Sequence, residues 1–386
     1  MKRVLNSFLF VLLSLGVLEL ASRMFLFPQY TAMLPDMYEE HPVLGHYTKP
    51  NLSVRRYNPL NYDVVNRTNS MGMRGSEENL KRELDGVWFA GGSNTFGGYV
   101  EDDEVFVSRL RQQGIWAANL ASEGHSLPSQ VATIKLVARR GHKPKAVVVV
   151  LSMYFGIADY SAFQKDLNTE LASSIDNPKP THTARDNLQA AIANLKNTLP
   201  LSYQEVRAGL LRSSALYGWF KVGILGIPPL REWTKQKGLR ADLDLVRNFN
   251  LNLLQPLTSN NPATGRIRST ADYVAGVSDL VRDRFNVPFG VVLLPSHHQL
   301  HPEGFDRFLA HHNLTGENLD TLRPMHALQT QLKRRNITVL DTYPVLRQSN
   351  LSRMTFPDDG HLNSAAHRVV SKAVADWLNR FVLVAG

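Results

Sequence analysis

Two short segments carry residue types able to do nucleophilic chemistry. In the first, Gly91-Gly92-Ser93-Asn94-Thr95-Phe96-Gly97 directly follows the apolar run Val87-Trp88-Phe89-Ala90. A serine on a turn of small residues, beyond the carboxyl end of a strand, presents its hydroxyl where open α/β sheets bind ligands. Its own N–H also stands near a helix start, where negative charge is favoured. A plainer role is open to the same residues, with glycines supplying positive φ and Ser93 capping a helix. In the second segment, Phe356-Pro357-Asp358-Asp359-Gly360-His361-Leu362-Asn363, Asp358 and His361 are three positions apart in a glycine-containing turn. That spacing lets a carboxylate reach the imidazole Nδ1–H, fix the tautomer, and leave Nε2 to accept a proton. Asp359 competes for the same role, and the stretch also reads as a polar turn with Asn363 or Ser364 as a helix cap. A third cluster, Pro295-Ser296-His297-His298-Gln299-Leu300-His301, follows another apolar run, with His311 and His312 beyond it. It reads as a solvated loop or a substrate contact on the rim of the sheet. A metal site would need convergent ligands held by outer partners, and the sequence supports neither a metal nor a cofactor.

These segments need a frame that brings positions 93 and 361 together. Ala146 to Met153 contains Val147-Val148-Val149-Val150-Leu151, apolar at every position, the mark of a parallel strand buried on both faces. Phe289 to Leu294 repeats the pattern and Ile337 to Leu340 does so more weakly; Gly86 to Ala90 and Ile115 to Ala121 complete five strands. Helical spacing is expected over Glu104–Gln113, Pro128–Arg140, Ala271–Phe285, Leu322–Arg335 and Ser364–Phe381. The alternation predicts an α/β fold of three layers, α/β/α, with a mostly parallel five-stranded sheet over residues 84–386. Residues 28–83 are rich in Pro, Asn, Tyr and Gly and are expected to form an arm of short strands and turns. The stretch at about 160–268 breaks the rhythm and reads as a helical insertion, with helices over Ala184–Leu195, Tyr203–Phe220 and Ala241–Leu253. Its middle, Ala215 to Phe220 and Gly223 to Leu230, is unusually apolar, as suits packing on the main domain, a lid, or a membrane-contacting surface.

Residues 1–27 read as an N-terminal membrane anchor or signal segment. Lys2 and Arg3 precede an apolar run from Val4 to Phe27, stopped by Pro28. At about 1.5 Å per residue such a helix is long enough to cross a bilayer. Basic residues before it predict a cytoplasmic N-terminus and a body outside the cytoplasm, periplasmic or at the cell surface. A cleaved signal peptide is the rival reading.

The 386 residues hold 43 Lys plus Arg against 34 Asp plus Glu, a net charge of +9 spread without a long basic run. That pattern suits anionic lipid or acidic glycan and not a nucleic-acid partner. There is no cysteine, which excludes disulfides, thiolate metal sites and a cysteine nucleophile.

Taken together and in this order, the two segments resemble the SGNH (GDSL-like) hydrolase superfamily, in its membrane-anchored extracytoplasmic form. The resemblance covers nearly all of residues 38–386. It includes the lead-in His41-Pro42-Val43-Leu44-Gly45-His46-Tyr47-Thr48-Lys49-Pro50-Asn51, the stretch Asn69-Ser70-Met71-Gly72-Met73-Arg74-Gly75, the continuation Gly97-Gly98-Tyr99-Val100-Glu101-Asp102, and a second block at Asn119-Leu120-Ala121-Ser122-Glu123-Gly124. It implies Ser93 as nucleophile, His361 as general base, Asp358 as the carboxylate that orients it, and the Ser93 and Gly124 N–H groups as oxyanion donors. Gly92 stands where the family motif has aspartate, and Ala158-Asp159 where its third block has asparagine followed by aspartate. Losing one oxyanion donor typically costs about 10²–10³ in rate, and Asn94 is the candidate replacement amide.

The expectation is a serine-dependent acyl-ester hydrolase or O-acyltransferase acting on an acylated envelope or exported glycan. A non-catalytic glycan-binding or assembly protein of the same fold, and a lipid esterase, are the alternatives. No particular protein partner is indicated.

Overall fold

The computed structural model describes residues 2–22, 37–42, 44–58, 61–153, 156–167, 214, 216–217, 220, 223–224, 227–236, 251–311, 313–349, 353–356 and 360–381. Helix α1 (Lys2–Ala21) comes first. Two antiparallel hairpins follow, β1 (Tyr38–His41) with β2 (Gly45–Thr48) and β3 (Ser53–Asn58) with β4 (Tyr62–Arg67). Strands β5 (Val87–Ala90), β6 (Ala117–Asn119), β7 (Ala146–Ser152), β8 (Phe289–Leu294) and β9 (Thr338–Asp341) build one five-stranded sheet in the order β6-β5-β7-β8-β9. Every pairing in it is parallel.

The valine run of β7 shows why the sheet is covered on both sides. Val147, Val149 and Leu151 enter one apolar cluster with Val131 and Ile134 of α5 (Leu127–Arg139), Val274 and Val277 of α7 (Pro262–Phe285), and Leu328 of α10 (Arg323–Lys333). Ala146, Val148 and Val150 enter a second cluster with Phe106 and Val107 of α4 (Phe106–Arg109) and with Val370 and Val374 of α12 (Ser364–Phe381). Side chains alternate across a strand, so one uninterrupted apolar run serves both layers. The other short elements are α2 (Leu80–Leu84), α3 (Ser93–Phe96), α6 (Pro228–Gln236), α8 (His297–Leu300), α9 (Pro302–His311) and α11 (Tyr343–Gln348).

The insertion lies between β7 and β8, and α6 is its described helix. The helices expected at 184–195 and 241–253 fall outside the described residues, apart from a single 3₁₀ turn at Leu251–Leu253. Of the helix expected over 203–220, only isolated positions from 214 onward are described.

Three expectations need correction. The apolar run was expected to form a spanning helix to Phe27; residues 23–27 lie outside the described residues, and among the described residues, where α1 covers Lys2–Ala21, no helix is long and apolar enough to cross a membrane. Asn6, Ser7, Ser14 and Glu19 interrupt it, and the Glu19 carboxylate accepts hydrogen bonds from Ser214 Oγ (2.8 Å) and Leu216 N–H (3.0 Å). The histidine-rich stretch after β8 is not a loop but α8 and α9. Ser296 N–H donates to Gln299 Oε1 at 2.7 Å to start the turn, and Phe305, Phe308 and Leu309 bury themselves against Leu254. Helix α7 begins nine residues before the expected Ala271, because Asn261 caps Ala263 N–H (2.9 Å) and Pro262 occupies its first turn.

Candidate active site

The strand order reverses at β5. Its sequence successor β6 lies on one side and β7 on the other, so the loops leaving β5 and β7 part and open a crevice at their carboxyl ends. Ser93 sits there, three residues after β5 and at the first position of the one-turn helix α3. Thr95 and Phe96 N–H both return to Gly92 O, at 3.0 and 2.9 Å. The Ser93 N–H precedes them, where an α-helix offers no internal acceptor. Gly91 is required by crowding: a Cβ there would stand 2.2 Å from Thr95 Oγ1 and 2.7 Å from Thr95 Cβ.

The structure brings Ser93 and His361 together across 268 positions of sequence, with Ser93 Oγ 2.8 Å from His361 Nε2. Both residues are half-buried. The same pair of loops is joined a second time, because Leu362 N–H donates to Asn94 Oδ1 at 2.9 Å. Asn94, the candidate replacement amide, thus ties the serine turn to the histidine turn through its carbonyl. Phe356 N–H donates to His361 O (2.9 Å) and Gly360 N–H to Phe356 O (2.8 Å), which closes the histidine turn on itself. Asp358 and its competitor Asp359 lie outside the described residues.

Gly124 lies on the segment that flanks the serine turn. Leu120 N–H donates to Phe89 O (2.8 Å) and Ser122 N–H to Gly91 O (3.3 Å), carrying the β5–β6 pairing past the strand ends. Gly124 has φ +74°, a left-handed conformation, and is exposed. Glu123 before it forms a buried ion pair with Arg56, whose Nη1 lies 2.5 Å from Glu123 Oε1. Glu123 O is also 2.5 Å from His46 Nε2. Burial depresses His125, which follows Gly124, to about 4, so it is neutral near pH 7.

The third-block position behaves differently from a donor. The Ala158 N–H donates to Thr270 Oγ1 (3.1 Å), and its carbonyl accepts from the same hydroxyl (2.9 Å). Its methyl packs against the core. Asp159 accepts from Ser161 N–H (3.0 Å) and Ser269 Oγ (2.8 Å), both of which hold its carboxyl below the usual range. This loop is fastened to α7 and offers no polar hydrogen from residue 158.

The N-terminal arm supplies residues that the sequence reading did not assign. Arg74, buried, donates to Asp102 (2.5 Å), Gly97 O (3.0 Å) and Val100 O (2.8 Å), and so shapes the loop after Ser93. Arg56 lies 4.4 Å over the ring of Tyr99, and Tyr99 is stacked on His361 with ring centroids 4.0 Å apart and an interplanar angle of 21°. A signal for Arg56 existed in Ser53-Val54-Arg55-Arg56: period-2 alternation places it on the inward face with Val54, an abnormal place for an unpaired charge.

Of the histidine cluster, His297 Nδ1 lies 2.6 Å from Thr355 Oγ1, and Thr355 bridges to Leu362 beside the site. Among the described residues no group of His, Asp or Glu is arranged to hold a metal ion.

Fold and site together define an α/β protein with a serine–histidine pair at the switch point of a parallel sheet. No family model and no curated protein sequence matches the chain. One solved crystal structure is similar at a TM-score of 0.32 and 13% identity, covering 78% of this chain and 99% of that one. This is a distant structural match, and it assigns no family.

Proposed function

We propose that this protein is a serine-dependent acyl-ester hydrolase or O-acyltransferase of the SGNH type, acting on an acylated envelope or exported glycan. The observation that carries the reading is the 2.8 Å contact between Ser93 Oγ and His361 Nε2 at the carboxyl edge of the sheet. That is the geometry of a nucleophile with its general base. Ser93 Oγ attacks the ester carbonyl while His361 Nε2 takes the hydroxyl proton. The leaving alcohol departs with that proton, and an acyl-serine remains. His361 then takes a proton from water or from a sugar hydroxyl, and the attacking oxygen releases the acid or a new ester together with free Ser93. The N–H groups of Ser93 and Gly124, with the Asn94 side-chain amide in place of the missing third-block asparagine, are the oxyanion donors, and Asp358 orients His361.

The Ala158 loop favours transfer over hydrolysis. With no hydrogen offered by residue 158, oxyanion stabilisation is reduced, and water gains nothing from being bound. A held acceptor hydroxyl recovers part of the barrier, since well-oriented pairs reach effective molarities of about 10⁵–10⁸ M. The same loop is the specific observation behind a second reading, a non-catalytic glycan-binding protein of this fold. Helix α1 attaches the body to a membrane. Phe8, Phe10, Leu13 and Val17 are 59, 72, 68 and 64% exposed, a surface that belongs against lipid. Lys2 and Arg3 ahead of that apolar segment are what supports a body outside the cytoplasm.

The deciding experiment is reaction of the purified protein with a fluorophosphonate probe, followed by peptide mapping. Modification at Ser93, abolished in Ser93→Ala and His361→Ala, is the expected result. An unmodified Ser93 alongside retained oligosaccharide binding would replace the enzyme by the binding protein. Acetyl release from an aryl acetate, slow alone and faster with the acceptor glycan, separates transfer from hydrolysis.

A further inference from the structure

The imidazole that meets Ser93 with its edge has a flat neighbour against its face. Tyr99 and His361 are nearly parallel, 21° apart in plane, with ring centroids at 4.0 Å. Tyr99 is itself buried, and the Arg56 guanidinium lies over its ring at 4.4 Å. Arg56 is buried as well and is held by Glu123 at 2.5 Å. Tyr62 closes the edge of Tyr99 at 5.2 Å and meets Phe356, in the histidine turn, at 5.6 Å. The column from Glu123 through Arg56 and Tyr99 to His361 is therefore continuous. It runs between the segment carrying Gly124 and the general base.

An imidazole hydrogen-bonded at one nitrogen can still swing about its side-chain torsions. A ring packed face to face against it removes the out-of-plane part of that swing and leaves Nε2 aimed along the plane, toward Ser93. We infer that Tyr99, backed by Arg56, is a positioning residue for His361 in addition to Asp358: the arm hairpin β3–β4, through Arg56, sets the plane in which the general base meets the serine. The phenol hydroxyl takes no part in this role; the aromatic face does. The inference rests on reading Ser93 and His361 as nucleophile and base.

The test compares wild type, Tyr99→Phe and Tyr99→Leu in the full chain. The rate of fluorophosphonate modification of Ser93 should fall about 10- to 100-fold in Tyr99→Leu, the scale on which small misplacements act. In Tyr99→Phe it should stay within about threefold of wild type, because the stacked face remains. Thermal midpoints measured alongside exclude loss of folding as the cause. Tyr99→Leu reacting as fast as wild type, or Tyr99→Phe as slowly as Tyr99→Leu, overturns the role. A second readout does not depend on reactivity. In proteins carrying ¹³C-labelled histidine, the ring protons of His361, assigned by their loss in His361→Ala, should be displaced upfield by the Tyr99 ring in wild type and Tyr99→Phe. Undisplaced protons in wild type overturn the inference even if Tyr99→Leu does not fold. If wild type is not modified at Ser93, the hydrolase reading fails, and the resonance positions alone still decide whether Tyr99 holds the imidazole.

Discussion

Replacing Gly98 by alanine should break the charge pair that lies under the serine loop. A methyl built on Gly98 would stand 2.0 Å from Arg56 Nη1 and 2.1 Å from Glu123 Oε1. Non-bonded heavy atoms settle at about 3.5 Å, so each group has to retreat by more than about 1 Å. Neither has water to retreat into, because both side chains are 7% exposed, and their 2.5 Å contact closes the space between them. Separating a buried pair typically costs about 3–5 kcal/mol, since each charge is left without its partner. Gly98→Ala should therefore lower the unfolding free energy by about 3–5 kcal/mol, a large part of the roughly 5–15 kcal/mol available to a typical domain. Urea denaturation of wild type and Gly98→Ala measures the loss. The same substitution in an Arg56→Met, Glu123→Leu background supplies the control, because there the methyl meets no fixed charges and should cost less than about 1.5 kcal/mol. A loss below about 1 kcal/mol in the native background, or an equal loss in both, would refute the reasoning.

Asn94→Ala should lower Ser93 modification about 10²-fold and also destabilise the histidine turn by about 1–3 kcal/mol, because Leu362 N–H loses its acceptor. Asn94→Asp keeps that acceptor but sets a carboxylate beside the forming oxyanion, so it should lose rate with little loss of thermal midpoint. Burial raises Glu83 to about 7, with Arg111 opposing at 4.0 Å. A carboxyl raised in the folded state loses its stabilising contribution as pH rises from about 4.5 to 7, so Glu83→Gln should be more stable than wild type by about 1–3 kcal/mol at pH 8. His125 and His367 run the other way, since burial depresses them to about 4 and about 3. Each contributes stability that is present above pH 6.5 and lost as pH falls toward its folded value, at about 1.4 kcal/mol per pH unit. Urea titrations in Glu83→Gln from pH 7 to pH 4 should show this acid decline more steeply than in wild type.

The parallel strands were legible because complete burial leaves a run with no polar position. Phe289–Leu294 is a strand over the expected residues, and Ala146–Ser152 ends one residue earlier than expected. Helix α12 likewise spans the expected Ser364–Phe381. Segments with weaker patterning were less readable. Glu104–Gln113 is a four-residue α-helix at Phe106–Arg109 followed by a 3₁₀ turn at Leu110–Gln113, a distinction that periodicity does not make. The serine and histidine stood out because they sit in turns directly after a strand and before a helix. Tyr99 and Thr270 did not, because their importance comes from partners 262 and 112 positions away; for Arg56 strand alternation marked only the inward face, and its partner lies 67 positions on. Sequence spacing reports on neighbours along a turn or helix face, and these contacts are made only by tertiary packing.

The 268-residue separation between Ser93 and His361 has a consequence for the birth of the protein. Closing so long a loop adds only slowly to the entropy cost, as the logarithm of its length. Time is the larger matter. At about 5–20 residues per second, the ribosome needs roughly 13–54 s to travel from the serine to the histidine. Throughout that interval the serine turn after β5 exists without the histidine turn that closes on it. The serine turn is made early and its histidine last, so an unfinished or interrupted chain carries Ser93 without the imidazole that meets it.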